Sequence, residues 1–469
     1  MSVFTRIRAN WSAPQGYREV LRVGLPLFAS MATSMVMFFT DRLFLSLYSM
    51  EAIAAATPAS NASMVVHMGM FGICSYTGVL AAQYVGARAL DRVGSAIWQG
   101  IWCSLMCGVV LVLVCFAAEP LFALVGHEPE IQKLEVEYFV VITAGSSFGL
   151  LSASISGFFY GLGRTKPVML ANMCAALINV PLDYIMIFGF GPVPELGIIG
   201  AGLATVCGWI LVAAIVACLV FNRKNDAAYH TRRGWRLETD MFKRLVRFGT
   251  PSGVNLMVEF AGITWFMFQI GTLGKVPLAA SNIAYTLSGL AFVPMLGLNV
   301  ATATLVGQCM GRRKPEEAVR ITRHALQLGL FYMISVALLI AVFAGPLMEI
   351  FRTSGAQSQD YDAVKQLGTV LLYYVAVYSV ADAPNLIFTG ALKGAGDTLA
   401  VMKIIVFSVI TVLMLPMLIL RLTDQVGLHS MWICFTAYIL FMTTLAALRF
   451  RSRKWQRIRV VEEAPQTEE

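Results

Sequence analysis

AAQYVGAR (residues 81–88) and VGQCMGRR (residues 306–313) carry Gln, Gly and Arg at the same three places, at an offset of 225. The offset persists on either side. RVGLP at 22–26 meets RFGTP at 247–251, Ala54 and Ala55 meet Ala279 and Ala280, Ala59 meets Ala284, Ser63 meets Ser288 and Gly72 meets Gly297. No gap is needed from residue 22 to residue 88. Farther along, YGLGRTK at 160–166 resembles KGAGDTL at 393–399, at an offset of 233. Punctuating residues that recur in order at constant spacing are the mark of an internal repeat.

The material between these motifs is strongly apolar. The chain has 469 residues, of which 58% are hydrophobic and only 13% charged, against about 25% charged in a soluble domain. A soluble protein of this composition would expose large apolar patches. Twelve runs of the roughly 20 apolar residues that a spanning helix needs stand at about 21–47, 53–79, 95–118, 134–158, 168–190, 197–221, 247–271, 278–304, 318–343, 366–390, 400–420 and 429–448. A barrel is excluded, because its strands are only ~10 residues long and alternate in polarity. The reading is all-α and integral to the membrane, with twelve transmembrane helices in two pseudo-symmetric six-helix lobes. An N-terminal lobe covers 1–221, a basic cytoplasmic linker 222–246, a C-terminal lobe 247–449 and a cytoplasmic tail 450–469. The polar, basic first twenty residues show no cleavable leader, so the first run is expected to serve as signal and anchor in one.

Orientation follows from the placement of Lys and Arg. With the N-terminus inside, all but six of the 35 Lys and Arg fall in inner segments; the six are Arg42, Lys133, Lys275, Arg352, Lys365 and Arg421. The outer stretch 119–137 carries Glu119, Glu128, Glu130, Glu135 and Glu137. Both termini are therefore expected in the cytoplasm and the chain in the cell inner membrane. The formal charge of +8 is spent on orientation and contact with anionic lipid, not on nucleic acid. Because each half has an even number of spans, the repeats run parallel, a transporter plan with its site between repeats and alternating access by rocking. Pro26 and Pro251 sit early in the first helix of each half, where they can kink it or free a carbonyl.

Acids inside spans are costly and point to function. ALINVPLDYIMIFGFG (176–191) holds Asp183, seven residues before the predicted outer end and about 10 Å deep at 1.5 Å per residue. Asn179, four residues earlier, shares its helix face. Asp41 on the first span and Thr205 on the sixth come to similar depth, about 9 and 12 Å. Two carboxylates, an amide and a hydroxyl suit a shared proton or a sodium ion held by oxygens. For Asp41 a second reading is open, since TDR with Arg42 could instead mark an interfacial helix end. Asn179 and Thr205 could serve only helix packing. The second half has Glu259 near mid-span and Asp382 beside Pro384 and Asn385, for which a purely structural role at a broken helix is the alternative. His67, the one histidine inside a span, reads as packing. The nine cysteines, each in or beside an apolar run and with no CxxC pair, read as small core residues. The glycine-rich turns at 160–166 and 393–399 lack a phosphate-loop pattern. With no ATP motif, pumping would draw on an ion gradient.

The two early prolines, the Q-x-x-G-x-R motif after the second and eighth spans, and the G-x-G turns after the fourth and tenth resemble the MATE family (multidrug and toxic compound extrusion) over the full chain. The resemblance implies that Asp41, Asn179, Asp183 and Thr205 bind Na+ or H+. It carries the second-lobe acids of the NorM-type branch onto Glu259 and Asp382, whereas the DinF-type branch usually lacks them; both sets are present here. It implies a cation-coupled antiporter that exports drugs and organic cations. The coupling ion is Na+ or H+ and no cofactor is needed. The expected partners are small-molecule drugs and membrane lipids, and the expected state is a monomer. A lipid-linked saccharide flippase of the same superfamily would want a basic cavity, and the spans hold acids. An integral membrane acyltransferase would want a catalytic histidine near the interface. Only His67 is on offer, so an enzyme is not expected.

Overall fold

A chain that must bury its own backbone hydrogen bonds in hydrocarbon has the helix as its cheapest solution, and the described residues of this one are predominantly helical. The computed structural model describes residue 11 and residues 15–124, 127–352 and 358–462. Among the described residues twelve helices are long and apolar enough to cross a membrane: α1 Tyr17–Tyr48, α2 Met50–Gly86, α3 Asp91–Cys115, α4 Pro129–Gly161, α5 Lys166–Phe188, α6 Gly197–Val220, α7 Thr239–Gly271, α8 Lys275–Gly311, α9 Pro315–Glu349, α10 Tyr361–Ala395, α11 Thr398–Leu422 and α12 Leu428–Arg451. Among the described residues the only extended pairing is a single bridge between Phe190 and Val193.

Several helices outrun their apolar stretch. Helix α7 begins at Thr239, where Met241 and Leu245 are buried while Lys243 and Arg244 lie on the other side. That is an amphipathic turn continuing a spanning helix beyond the hydrocarbon. Pro26, Pro181, Pro251 and Pro384 all lie inside helices, and Val409–Met414 of α11 is wound as a π-helix just before Pro416.

The repeat is visible in the backbone itself. Helices α2 and α8 begin and end at equivalent places of the repeat, Met50 against Lys275 and Gly86 against Gly311. Arg88 and Arg313, which close their motifs, both adopt the left-handed conformation, at φ 59° and 58°. In both turns the amide after that arginine reaches back five residues, Ala89 N to Tyr84 O at 3.1 Å and Lys314 N to Cys309 O at 2.9 Å. This is a Schellman ending without its usual glycine. The turns after α4 and α10 match likewise. Gly163 and Gly396 have φ 67° and 92°, and Arg164 N to Phe159 O and Asp397 N to Leu392 O span 2.9 and 2.8 Å.

The chain packs as two compact units, and their limits differ from a simple split into halves. One holds residues 1–25, 258–306 and 315–458; the other holds 26–257, 307–314 and 459–469. The cause lies in α1 and α7. In the first unit Gly24 of α1 packs on Leu298 of α8, and in the second Gly249 of α7 packs on Ile73 of α2. Each repeat thus sends the N-terminal part of its first helix to the unit built on the other repeat. Helix α1 changes unit at Leu25/Pro26, and α7 at Met257/Val258.

Residues 222–246 are tied down inside the second of these units. Trp98 Nε1 donates to Thr231 O at 2.7 Å, Trp102 Nε1 to Trp235 O at 2.9 Å and Gln99 Nε2 to Arg236 O at 3.0 Å. Glu462 closes ion pairs to Arg244 at 2.7 Å and Arg92 at 3.6 Å.

The Gln and Gly of the two motifs interlock within that same unit. A Cβ on Gly86 would lie 2.1 Å from the Gln308 carbonyl oxygen, and one on Gly311 would lie 2.0 Å from that of Gln83. Only hydrogen fits there. Gly86→Ala is therefore predicted to lower the apparent unfolding temperature in detergent by about 1–3 °C, the scale of a 1–3 kcal/mol overpacking in a chain of this length. Gly289→Ala, where a Cβ meets nothing within 4 Å, should leave it unchanged. Equal shifts at both positions would contradict the interlock.

Candidate functional site

Pro181 shapes the segment that carries Asp183. It lies inside α5, has no amide hydrogen to give and crowds the carbonyl of Leu177. Asn179 and Asp183 flank it, one turn apart, and are buried at 1% and 0% exposure. Asp41 of α1 is buried at 3% and Thr205 of α6 is also buried. All four belong to the unit that contains 26–257. Asp41 and Asp183 are close enough to interact electrostatically. Helix α6 comes in at Gly208, where a Cβ would meet Met37 of α1 at 3.0 Å and Asn179 at 3.9 Å. The structure thus brings α1, α5 and α6 together around these side chains.

What sets the cluster apart is how little it is satisfied. Both oxygens of Asp183, both polar atoms of Asn179 and Oδ1 of Asp41 are buried with no hydrogen-bond partner. The Tyr138 hydroxyl of α4 donates to Asp41 Oδ2 at 3.3 Å, the one hydrogen-bond partner of the pair among the described residues. Buried polar atoms are normally bonded, and five orphans in one place amount to a set of donor atoms with unmet demand. Amide, hydroxyl and carboxylate oxygens are hard ligands, which fit a small hard cation such as Na+, and a carboxylate pair can also share a proton. Asp41 is not an interfacial helix end. It lies seven residues inside α1, and the Arg42 guanidinium donates to α2, to Ser60 Oγ at 2.5 Å and Ala56 O at 3.2 Å, while remaining an electrostatic neighbour of Asp41.

The second pair sits in the other unit. Glu259 is half-buried on α7, and Asp382 of α10 is 8% exposed. They interact with each other, so the fold brings this pair together as well. Asp382 Oδ1 accepts from Asn385 Nδ2 at 3.0 Å, a local bond across the Pro384 region. Asn385 Oδ1 is left buried without a partner. Tyr285 and Tyr438 flank the two acids electrostatically, and Lys393 faces Glu259.

Sequence reasoning missed several of these partners. Tyr138 gave no signal, because nothing links it to Asp41 before α1 and α4 are packed. Lys393 did give one: it follows Asp382 by eleven residues, about three turns, so both lie on one face of α10. Asn255 of α7 is fully buried with both polar atoms unpartnered and was visible as an amide in the run VNLMVEFAG. His67 stacks on Trp209, with ring centroids 6.1 Å apart and planes 5° from parallel, which is packing. The cysteines hold one surprise. Cys74, Cys103 and Cys107, from two helices, have sulfurs within 4.8 Å of one another.

An unpartnered buried carboxylate opposes folding. Asp183→Asn, in sodium-free buffer at pH 8, is predicted to leave the unfolding temperature unchanged or raise it by several degrees. Tyr138→Phe, which strips Asp41 of its one partner, should lower it by an amount corresponding to about 1–3 kcal/mol. A large loss of stability in Asp183→Asn would contradict this description of the site.

Comparison with known proteins agrees with the fold. The MatE family model matches residues 26–185 and 251–418. The starts of the two matches are separated by the first offset of the repeat, and their ends by the second. The chain is 28% identical over 464 residues to the probable multidrug resistance protein NorM of Thermotoga maritima, covering 97% of each chain. Its identity to the NorM of Bradyrhizobium diazoefficiens is 26%, over 92% of each. Among solved structures, an outward-facing multidrug resistance MATE family transporter of the MOP superfamily superposes with a TM-score of 0.85 at 21% identity, over 97% of this chain and 99% of that one. A MATE structure in the bent conformation gives 0.82 at 20% identity, over 95% and 97%. With both of its halves matched and its twelve helices in place, the chain belongs to the MatE family.

Proposed function

We propose that this protein is a cation-coupled multidrug antiporter of the cell inner membrane, exporting organic, often cationic, compounds by alternating access between its two lobes, with both termini in the cytoplasm. It acts as a transporter and not as an enzyme, and as a monomer. The multidrug resistance names of its NorM relatives support the substrate class. The observation that carries the coupling is the set of orphaned buried oxygens around Asp41 and Asp183.

The mechanism follows from charge in a low dielectric. Two ionised carboxylates side by side inside a lobe repel each other and lack hydration. A proton or Na+ relieves both penalties, so the lobe has one stable packing with the cation and another without it. Helix α1 carries Asp41 and also changes unit at Pro26. A change in how α1 packs at Asp41 is therefore transmitted to its inner end, which belongs to the other unit. A ligand shifts such an equilibrium only by its differential affinity for the two states. Cation and drug, preferring opposite states, exchange across the membrane. In the second lobe, Glu259 and Asp382 supply negative charge for a cationic drug or a further coupling ion, with Lys393 as a resident counter-charge.

The test is efflux of a fluorescent organic cation such as ethidium from proteoliposomes, with a proton gradient or a sodium gradient imposed alone. One gradient should drive transport, and Asp41→Asn and Asp183→Asn should each reduce the driven rate at least tenfold with insertion unchanged. Glu259→Gln and Asp382→Asn should also impair it. Transport by Asp183→Asn at the wild-type rate would remove the first-lobe site from the mechanism.

A further inference from the structure

We propose that Cys74, Cys103 and Cys107 form a three-thiol site for a neutral trivalent arsenical, separate from the acid clusters. Cys103 and Cys107 are one turn apart on α3, so their sulfurs share a face. Cys74 comes from α2. The three sulfurs lie within 4.8 Å of one another and all three residues are buried. The cluster is held in place by polar bonds on its rim. Ser104 Oγ and Ser154 Oγ of α4 are 2.7 Å apart, and Ser154 Oγ also donates to the Cys74 carbonyl at 3.3 Å. Helices α2, α3 and α4 are thereby fixed around the thiols before any ligand arrives. All of these residues lie in one unit.

Geometry selects a three-coordinate, thiophilic centre, and charge selects among such centres. Structural zinc takes four ligands, and three are present. A soft cation such as Cu(I) suits thiolates, but bound to three of them it leaves net negative charge. The electrostatic neighbours of these sulfurs are one another and Ser104, with no basic side chain among them. Uncompensated charge in such a place is expensive. Arsenous acid avoids the penalty. It enters neutral, three As–S bonds form as three As–O bonds break, and each thiol proton leaves with a hydroxide as water. The product is a neutral As(SR)3, arsenic stays trivalent throughout, and no oxidant or reductant is required.

The test uses the full chain, reduced, with Cys115, Cys174, Cys207, Cys218, Cys309 and Cys434 replaced by alanine. It is incubated with arsenous acid and freed of excess by gel filtration. The expected result is one arsenic per chain, with three sulfur neighbours by X-ray absorption at the arsenic edge. Adding Cys103→Ala should cut retained arsenic at least tenfold. Should the six-alanine background fail to fold, the wild-type chain is compared with Cys74→Ala/Cys103→Ala/Cys107→Ala, which should retain one arsenic fewer per chain. Equal retention with and without the three cysteines, or arsenic surrounded by oxygen or by only two sulfurs, would overturn the proposal.

Discussion

A carboxylate buried in a membrane helix without a partner is the constraint on which the first lobe depends. Asp183 has no hydrogen-bond partner for either oxygen, and Asp41 has one partner for one oxygen. Around them α1, α4, α5 and α6 supply one tyrosine, one unpartnered amide and a hydroxyl. Each lobe helix could bury leucine at these positions at less cost, since apolar replacements of buried charges are commonly neutral or stabilising. Stability alone gives no reason for the arrangement. The cation binding proposed for this site gives one, and in that proposal the same cation decides how α1 packs.

That local event has consequences elsewhere because of how the repeat folds. The units do not each contain a whole half of the sequence. Gly24 packs on Leu298 and Gly249 on Ile73, so α1 and α7 each belong to both units, changing over at Pro26 and at Met257. The second lobe has a comparable pair of acids on α7 and α10. Its neighbours are different: Asn385 donates to Asp382, and Lys393 is an electrostatic neighbour of Glu259. Two lobes with the same fold thus present different electrostatic demands.

Much of this was legible in the sequence. The twelve spans, the repeat and the two offsets follow from hydropathy and from residues such as Gln83, Gly86 and Arg88, whose roles are backbone geometry and therefore hard to vary without a trace. The place of Asp183 and Asp41 within their helices followed from counting residues along the apolar runs. Three things were not legible, each because it depends on packing between helices. The exchange of α1 and α7 between units leaves no local mark. Tyr138 is an ordinary aromatic until α4 meets α1. Cys74 and Cys103 are on separate spans, and only the crossing of α2 and α3 brings them together. Arg42 misled in the other direction. Its place beside Asp41 suggested an interfacial helix end, whereas its side chain reaches across to Ser60 and Ala56 of α2.

The central claim is that a cation at Asp41 and Asp183 and a drug elsewhere bias one equilibrium in opposite directions. Linkage makes the effect reciprocal in binding free energies. The most direct measurement is the affinity of the purified protein for a fluorescent organic cation, by anisotropy, as a function of pH at fixed sodium and of sodium at fixed pH. The account predicts that one of the two cations weakens drug binding at least tenfold in the wild type, and that Asp41→Asn/Asp183→Asn abolishes the dependence. Drug affinity indifferent to both cations, or a dependence that survives in the double variant, would contradict it.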